Sequence, residues 1–144
     1  MPRLSIWMIR SSFVCLSVVV LSGGLLLVNK ASVLHAAIWA FLPLHYELAI
    51  WGWFVQFILG TAYWIFPRHL TGSPRGSEAA AWTAGALLNI GLLLIIMGNF
   101  IIPESGFSVS GRTLAILSTL IFIRLLAGRA VSYRNSHSHD MGEA

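Results

Sequence analysis

Residues 42–68 read LPLHYELAIWGWFVQFILGTAYWIFPR, and this segment decides how the rest of the chain is interpreted. Two ionisable side chains, His45 and Glu47, stand at the start of its long apolar run. An α-helix needs about 20 apolar residues to cross a hydrocarbon core of about 30 Å, so the segment predicts a membrane span. An ionisable residue inside such a span is costly and therefore marks a candidate functional site.

The composition predicts that lipid is the main solvent of this chain. Of its 144 residues, 57% are hydrophobic and 10% are charged, and the mean hydropathy is +0.80. A soluble domain usually has about 25% charged residues. The net charge of +4 comes from basic residues in predicted loops and tails, where they set membrane orientation and do not indicate nucleic-acid binding. Cys15 is the only cysteine, which excludes an intrachain disulfide and a thiolate metal cage.

Apolar runs predict an all-α fold, an integral membrane four-helix bundle over residues 1–128. Segments 67–78 and 103–106 contain the proline, glycine and serine residues typical of loops, and the polar residues 129–144 are predicted to form a disordered tail. The first run also resembles a secretory signal peptide, but a retained helix is favoured because no small-residue cleavage site follows it at once. The expected spans are about 11–29, 36–66, 79–101 and 110–127.

The basic residues predict the orientation of this bundle. Four spans place both termini on one side of the membrane. Of the basic residues, only Lys30 and Arg112 fall on the other side. Because cytoplasmic loops carry an excess of Lys and Arg, both termini are expected to be cytoplasmic, in a multi-pass protein of the inner (plasma) membrane. His45 then lies near the outer face. The basic residues on the terminal side are Arg3, Arg10, Arg68, Arg75, Arg129 and Arg134, with Arg124 near them.

The α-helical period predicts a small and polar face below His45. Imidazole is a strong iron ligand, and small residues beneath it leave room for a flat macrocycle, so His45 is interpreted as the metal ligand of a haem. The same residues are equally consistent with tight helix packing, in which His45 bonds only a carbonyl or a neighbouring helix. Glu47 lies about 160° away, so it cannot share that iron and is expected to snorkel to water. Within about 60° of His45 lie the other candidate haem-binding residues, Ala49, Gly52, Gln56, Gly60 and Tyr63.

The second span also resembles a known family. A helix that enters from the outer side with a histidine near its start, and that has a Gly-x-x-Tyr-x-x-x-Pro end, resembles the second helix of haem–copper oxidase subunit I. The similarity is greatest to the nitric oxide reductase branch. It implies that His45 ligates a low-spin haem b, with an electron-transfer or haem-linked accessory role in a respiratory chain. The absence of a Cys-x-x-Cys-His sequence predicts non-covalent haem. The matching residues are His45, Gly60, Tyr63, Trp64 and Pro67.

The chain departs from that family in ways that limit the expected activity. It has fewer predicted spans than a catalytic subunit, and it lacks the later histidines that hold the second axial position and the binuclear centre. Reduction of oxygen or nitric oxide by this chain alone is therefore not expected. The second axial ligand stays open: it could be His45 of a second copy in a homodimer, a residue of a partner subunit, or absent, which would let a gas bind.

A cofactor-free accessory or structural subunit of a larger respiratory membrane complex is the alternative to a haem protein. A transporter or sensor has less support, because the sequence has no pair of broken helices with buried charges. The other histidines are weaker ligand candidates. His35 is expected at the membrane interface, His69 in a loop, and His137 and His139, beside Asp140, in a solvated tail.

Overall fold

The computed structural model describes residues 1–67, 75–100 and 105–140, and its secondary structure is entirely helical. Four helices, Arg3–Ser32, Ala36–Ile65, Glu78–Phe100 and Gly106–Val131, are long and apolar enough to cross a membrane. This confirms the predicted all-α class and the number of helices of membrane-spanning length among the described residues. Ala36–Ile65 is called the second span below. The elements are α1 (Arg3–Ser32), a 3₁₀ helix (Ala36–Ala40), α2 (Phe41–Glu47), a π-helix (Leu48–Val55), α3 (Gln56–Ile65), α4 (Glu78–Phe100) and α5 (Ser105–Asp140).

Both ends of α1 and of α5 extend beyond the spans predicted from the sequence. α1 begins at Arg3, directly after Pro2, well before residue 11. α5 continues to Asp140, whereas a disordered tail was predicted from residue 129 onward. No glycine or proline occurs between residues 129 and 140, so nothing in that sequence stops a helix that is already formed. Residues 68–74, which include His69, and residues 101–104 and 141–144 lie outside the described residues, as do the side chains of His137 and His139.

α4 and α5 pack as a close antiparallel pair. A Cβ atom added at Gly91 would lie 2.6 Å from the carbonyl oxygen of Gly111, and one added at Gly98 would lie 2.7 Å from the backbone nitrogen of Ser108. The backbones therefore touch where both helices have small residues, as expected for helices that associate in lipid. The hydroxyl of Ser118 donates a hydrogen bond of 2.6 Å to the carbonyl of Ala84, which fixes the register farther along the pair.

α1 packs antiparallel to the second span. An added Cβ at Gly60 would lie 2.9 Å from Cβ of Met8, and one at Gly52 would lie 2.9 Å from Sγ of Cys15. Farther along α1, Gly23 faces the imidazole of His45. The end of the bundle that carries Arg3 is called the terminal end below, and the end that carries His45 is called the opposite end.

A buried arginine closes the terminal end of the second span. Phe66 has ψ of 145° because proline at position 67 disfavours helical geometry in the residue before it, so α3 ends at Ile65. Arg129 on α5 is only 1% exposed and donates to the carbonyl oxygens of Tyr63, Phe66 and Pro67 at 3.2, 2.6 and 2.9 Å. A helix end leaves carbonyl groups without intrahelical partners, and these bonds satisfy them inside the bundle.

Candidate functional site

The second span changes helical type between His45 and Gln56. Leu48–Val55 is a π-helix, in which each N–H bonds the carbonyl five residues earlier and the turn is wider. The angles calculated for a regular α-helix therefore do not carry from His45 to the residues beyond Leu48. π-helical turns are rare and are often found at functional sites, and this one lies between His45 and Gln56.

The imidazole of His45 is held by α1. Its Nδ1 atom lies 3.0 Å from the carbonyl oxygen of Val19 and 3.3 Å from the hydroxyl of Ser22. Because a carbonyl oxygen can only accept, Nδ1 carries the hydrogen and donates it. In the neutral ring the lone pair then lies on Nε2, for which the described residues provide no hydrogen-bond partner. A histidine that ligates a metal through one nitrogen commonly donates its other N–H to a carbonyl in this way.

Gly23 creates the space that His45 occupies. A Cβ atom added at position 23 would lie 2.7 Å from Cε1 and 3.2 Å from Nδ1 of the imidazole. Real Cβ contacts essentially never fall below 3.0 Å, so even alanine at this position would displace the ring. The neighbouring Gly24 would meet nothing within 4 Å. Of these two residues, only Gly23 must therefore be glycine, because the imidazole of His45 lies so close to it.

A cleft of about 330 Å³ opens beside His45 at the opposite end of the bundle. Its volume is at the lower end of the range of about 300–1,000 Å³ that is usual for small-molecule sites. Most of its wall is apolar, and the exposed ammonium group of Lys30 provides a positive charge. It is called the His45 cleft below, and it is lined by Gly23, Leu26, Leu27, Lys30, Trp39, Leu42 and His45.

Neighbouring helices cover the face that was predicted to lie against a macrocycle. Gly52 and Gly60 contact Cys15 and Met8 of α1 so closely that neither has room for a methyl group. Ala49 packs beside the Val19, Leu48 and Leu92 cluster, and Tyr63 is 1% exposed with its ring edge-on to Phe122. With α1 in this position, the face does not fit a haem. The assignment of Ala49, Gly52, Gln56, Gly60 and Tyr63 as haem-binding residues stays a prediction that would require α1 to move.

Gln56 joins three helices through a polar cluster. Its side-chain nitrogen donates to the hydroxyl of Ser11 on α1 at 2.6 Å and to the side-chain oxygen of Asn89 on α4 at 3.2 Å. Asn89 in turn donates to the carbonyl of Gly85 at 2.8 Å. Asn89 on α4 is thus bonded to a side chain of the second span. The Oε1 atom of Gln56 is buried without a hydrogen-bond partner among the described residues.

Glu47 does not reach water, contrary to the sequence expectation. It is 4% exposed, and its Oε1 atom accepts hydrogen bonds from Nε of Arg112 at 2.8 Å and also from Nη2. Arg112 lies on α5, where its side chain is 45% exposed. The ion pair therefore connects the second span to α5. The carboxylate of Glu47 contacts Arg112 in place of the water that was expected. Glu47 and His45 have different partners, as their separation around the helix predicts.

The structure places His35 at a helix start, where it has a capping role. It is exposed, and its Nδ1 atom accepts a hydrogen bond of 3.1 Å from the backbone N–H of Ala37 at the first turn of the 3₁₀ helix. Within the described ranges, no group of three or more His, Cys, Asp or Glu side chains could hold a metal ion. A haem needs only one or two axial side chains, so His45 alone is compatible with this class of cofactor.

The part of the chain that the structure describes is therefore helical, with four helices of membrane-spanning length. Comparison with protein-family models, with curated proteins and with solved structures finds no match.

Proposed function

We propose that this chain is an integral membrane protein that holds a non-covalent haem b through Nε2 of His45 and takes part in electron transfer or a haem-linked accessory role. The observation that carries the proposal is the hydrogen bond from Nδ1 of His45 to the carbonyl of Val19. This bond selects the tautomer whose Nε2 can ligate iron, and it fixes the plane of the ring before any ligand arrives.

The His45 cleft supplies the other features of a haem-edge site. Leu26, Leu27 and Leu42 offer an apolar wall, and Trp39 adds an aromatic surface. Lys30 places an ammonium group where an anionic substituent of the cofactor could pair with it. Bound haem would supply one-electron chemistry, and these residues would hold its edge.

The cleft is open, which leaves room for a second axial ligand from outside this chain. Leu27, Lys30, Trp39 and Leu42 are all exposed. We propose that His45 of a second copy in a homodimer, or a residue of a partner subunit in a respiratory membrane complex, completes the site; a five-coordinate haem that binds a gas is the remaining arrangement. The chain alone is not proposed to reduce oxygen or nitric oxide.

The proposed location is the inner (plasma) membrane, with both ends of the chain in the cytoplasm. The basic residues near the terminal end, such as Arg3, Arg10 and Arg75, outnumber Lys30 and Arg112 near the opposite end. The positive-inside rule then places the terminal end in the cytoplasm and His45 towards the outer side.

A cofactor-free accessory subunit is the second candidate function, and one observation favours it. The face that contains Gly52 and Gly60 is filled by α1, and the bond from His45 to Val19 is itself a contact between helices. Under this alternative the histidine, like the small residues, serves to pack α1 against the second span.

Haem content separates the two candidates. The full chain is purified in detergent from haem-replete cells, and its haem is measured by pyridine haemochrome assay and by Soret absorbance per protein. We expect a b-type spectrum that His45→Ala removes and that His35→Ala and Glu47→Gln keep. Alanine is cheaper than histidine in lipid, so insertion should survive the substitution. Haem-free parent protein would favour the accessory subunit, and full haem in His45→Ala would disprove the assignment of the ligand.

A further inference from the structure

A groove between α1 and α4 carries a second inference, which does not depend on haem. The helices approach each other at Leu4 and Gly85, where an added Cβ would lie 3.1 Å from the leucine side chain. Beside this contact and farther along the two helices lie two clefts of about 340 and 590 Å³, and both have Trp7, Ser11 and Asn89 in their walls. The two clefts together are called the α1/α4 groove below.

The larger part of the α1/α4 groove is polar at one end and apolar along the rest. At the polar end lie the guanidinium of Arg10 and the indole of Trp7, both exposed, above Ser11 and Asn89. The hydroxyl of Ser11 donates back to the carbonyls of Trp7 and Met8, so it is already used within α1. The apolar part is lined by Val14, Val18, Leu44, Leu92, Leu93 and Ile96.

Arg10 is a positive charge without a carboxylate within 4 Å among the described residues. It lies seven residues after the start of α1 at Arg3, which is about 10 Å along the helix axis. A charged side chain inside a bilayer is costly and is accommodated by snorkelling or by pairing. An anion at the polar end of the groove would therefore stabilise Arg10 where it stands, and the indole N–H of Trp7 offers a second donor.

The direction and length of the groove match one leaflet of a bilayer. From Arg10 to Val18 the groove follows α1 for eight residues, or about 12 Å, which is close to half of a hydrocarbon core of about 30 Å. A molecule with an anionic head near the terminal end and a chain that points towards the bilayer midplane has this shape. A phospholipid of the leaflet at the terminal end is such a molecule.

We propose that the α1/α4 groove binds one anionic phospholipid, whose phosphate pairs with Arg10 and whose acyl chain lies along Val14, Val18 and Leu93. The guanidinium suits a phosphate because it can donate two parallel hydrogen bonds. The apolar residues of the groove gain contacts with an ordered chain in place of fluid lipid. The negative headgroup also neutralises part of the positive charge that Arg3 and Arg10 place at this end of α1.

The test measures lipid binding to the full chain by native mass spectrometry. The protein in detergent is titrated with phosphatidylglycerol and, separately, with phosphatidylcholine of the same acyl chains. We expect saturation at one phosphatidylglycerol per chain, about tenfold weaker binding of phosphatidylcholine, and about tenfold weaker phosphatidylglycerol binding by Arg10→Gln. The matched control is Arg124→Gln, because Arg124 is also an exposed arginine but lies on α5 away from the groove. Its affinity should equal that of the parent.

A second pair of variants tests where the acyl chain of the lipid lies. Val14 and Val20 both lie on α1 and are 66% and 63% exposed, but only Val14 lines the groove. Val14→Trp should fill the groove and weaken phosphatidylglycerol binding at least tenfold, whereas Val20→Trp should not. Equal phosphatidylglycerol affinity in the parent and Arg10→Gln, or equal losses in Val14→Trp and Val20→Trp, would overturn the proposal. Haem content plays no part in these measurements, so their outcome is separate from that of the proposed function.

Discussion

Adding one methyl group at Gly23 should displace His45, whereas the same change at Gly24 should not. A Cβ at position 23 would lie 2.7 Å from Cε1 of the imidazole, and ordinary contacts begin at 3.4 Å. The ring must therefore move by at least 0.3 Å to reach 3.0 Å, and by about 0.7 Å to reach an ordinary contact. A movement of that size away from α1 would stretch the 3.0 Å bond between Nδ1 and Val19 past the point, about 3.6 Å, where it counts as a hydrogen bond.

The expected magnitude follows from the lost contact and the added crowding. Removing the partner that orients a metal-ligating histidine typically weakens metal binding about 10–100-fold, so Gly23→Ala should lower haem affinity by this factor. Crowding in a packed interior costs about 1–3 kcal/mol, offset in part because alanine favours a helix by about 0.5–1 kcal/mol over glycine. Gly24→Ala, with nothing within 4 Å of the new Cβ, should keep the haem affinity and gain slightly in stability.

Haem titration and thermal unfolding of the two variants, in the same detergent, provide the measurement. Each protein is stripped of haem and titrated while the Soret absorbance is followed, and unfolding is recorded with and without added haem. Equal haem affinity in Gly23→Ala and Gly24→Ala would refute the view that the Val19 carbonyl positions His45 for ligation. A lower unfolding temperature for Gly23→Ala with no haem bound by either protein would instead indicate a histidine that only packs α1 against the second span.

Three further outcomes test the contacts and the topology. Arg112→Gln should destabilise the protein by about 3 kcal/mol in detergent unfolding because it leaves the buried carboxylate of Glu47 unpaired. Glu47→Gln should cost only about 1 kcal/mol because the half-exposed side chain of Arg112 can turn to water. A larger loss for Glu47→Gln than for Arg112→Gln would contradict the reasoning from burial. Arg129→Met should lower the free energy of unfolding by about 3 kcal/mol or more because it removes charged hydrogen bonds to three carbonyls. If the loss is as small as that of Arg124→Met, which changes an exposed arginine, the end of α3 does not need Arg129. A reporter that is active only in the cytoplasm should be active when it is fused after Ala144 and inactive when it is inserted at residues 101–104. Activity at both sites would exclude the proposed topology.

Several features of this protein could be read from short windows of the chain. The membrane-spanning lengths of the helices depend only on runs of apolar residues, and these runs predicted the second span within a residue of its observed end, Ile65. Proline at position 67 marks that end because it restricts the residue before it. The bond between Asn89 and Gln56 followed from a general property, since a polar side chain inside an apolar span finds a partner on another helix.

Short windows of sequence could not predict which side of each helix contacts another helix, a cofactor or lipid. In water, the apolar side of a helix indicates the core, but in lipid both the core and the surface are apolar. The residues beneath His45 were therefore as consistent with a macrocycle as with a neighbouring helix, and the structure places α1 against Gly52 and Gly60. The π-helix at Leu48–Val55 also shifts the register that a regular period would assign to Gln56.

The sequence by itself determined that the chain is helical, that it has runs long and apolar enough to cross a membrane, and that His45 is a polar group near the start of one of them, because hydropathy and chain length are local properties. The tertiary structure decided which groups meet. The pairs Glu47–Arg112, Tyr63–Arg129 and Gly23–His45 join different helices, and each depends on how those helices are packed and rotated. Chain order does not specify that rotation, because it is set by close contacts between small residues across the bundle.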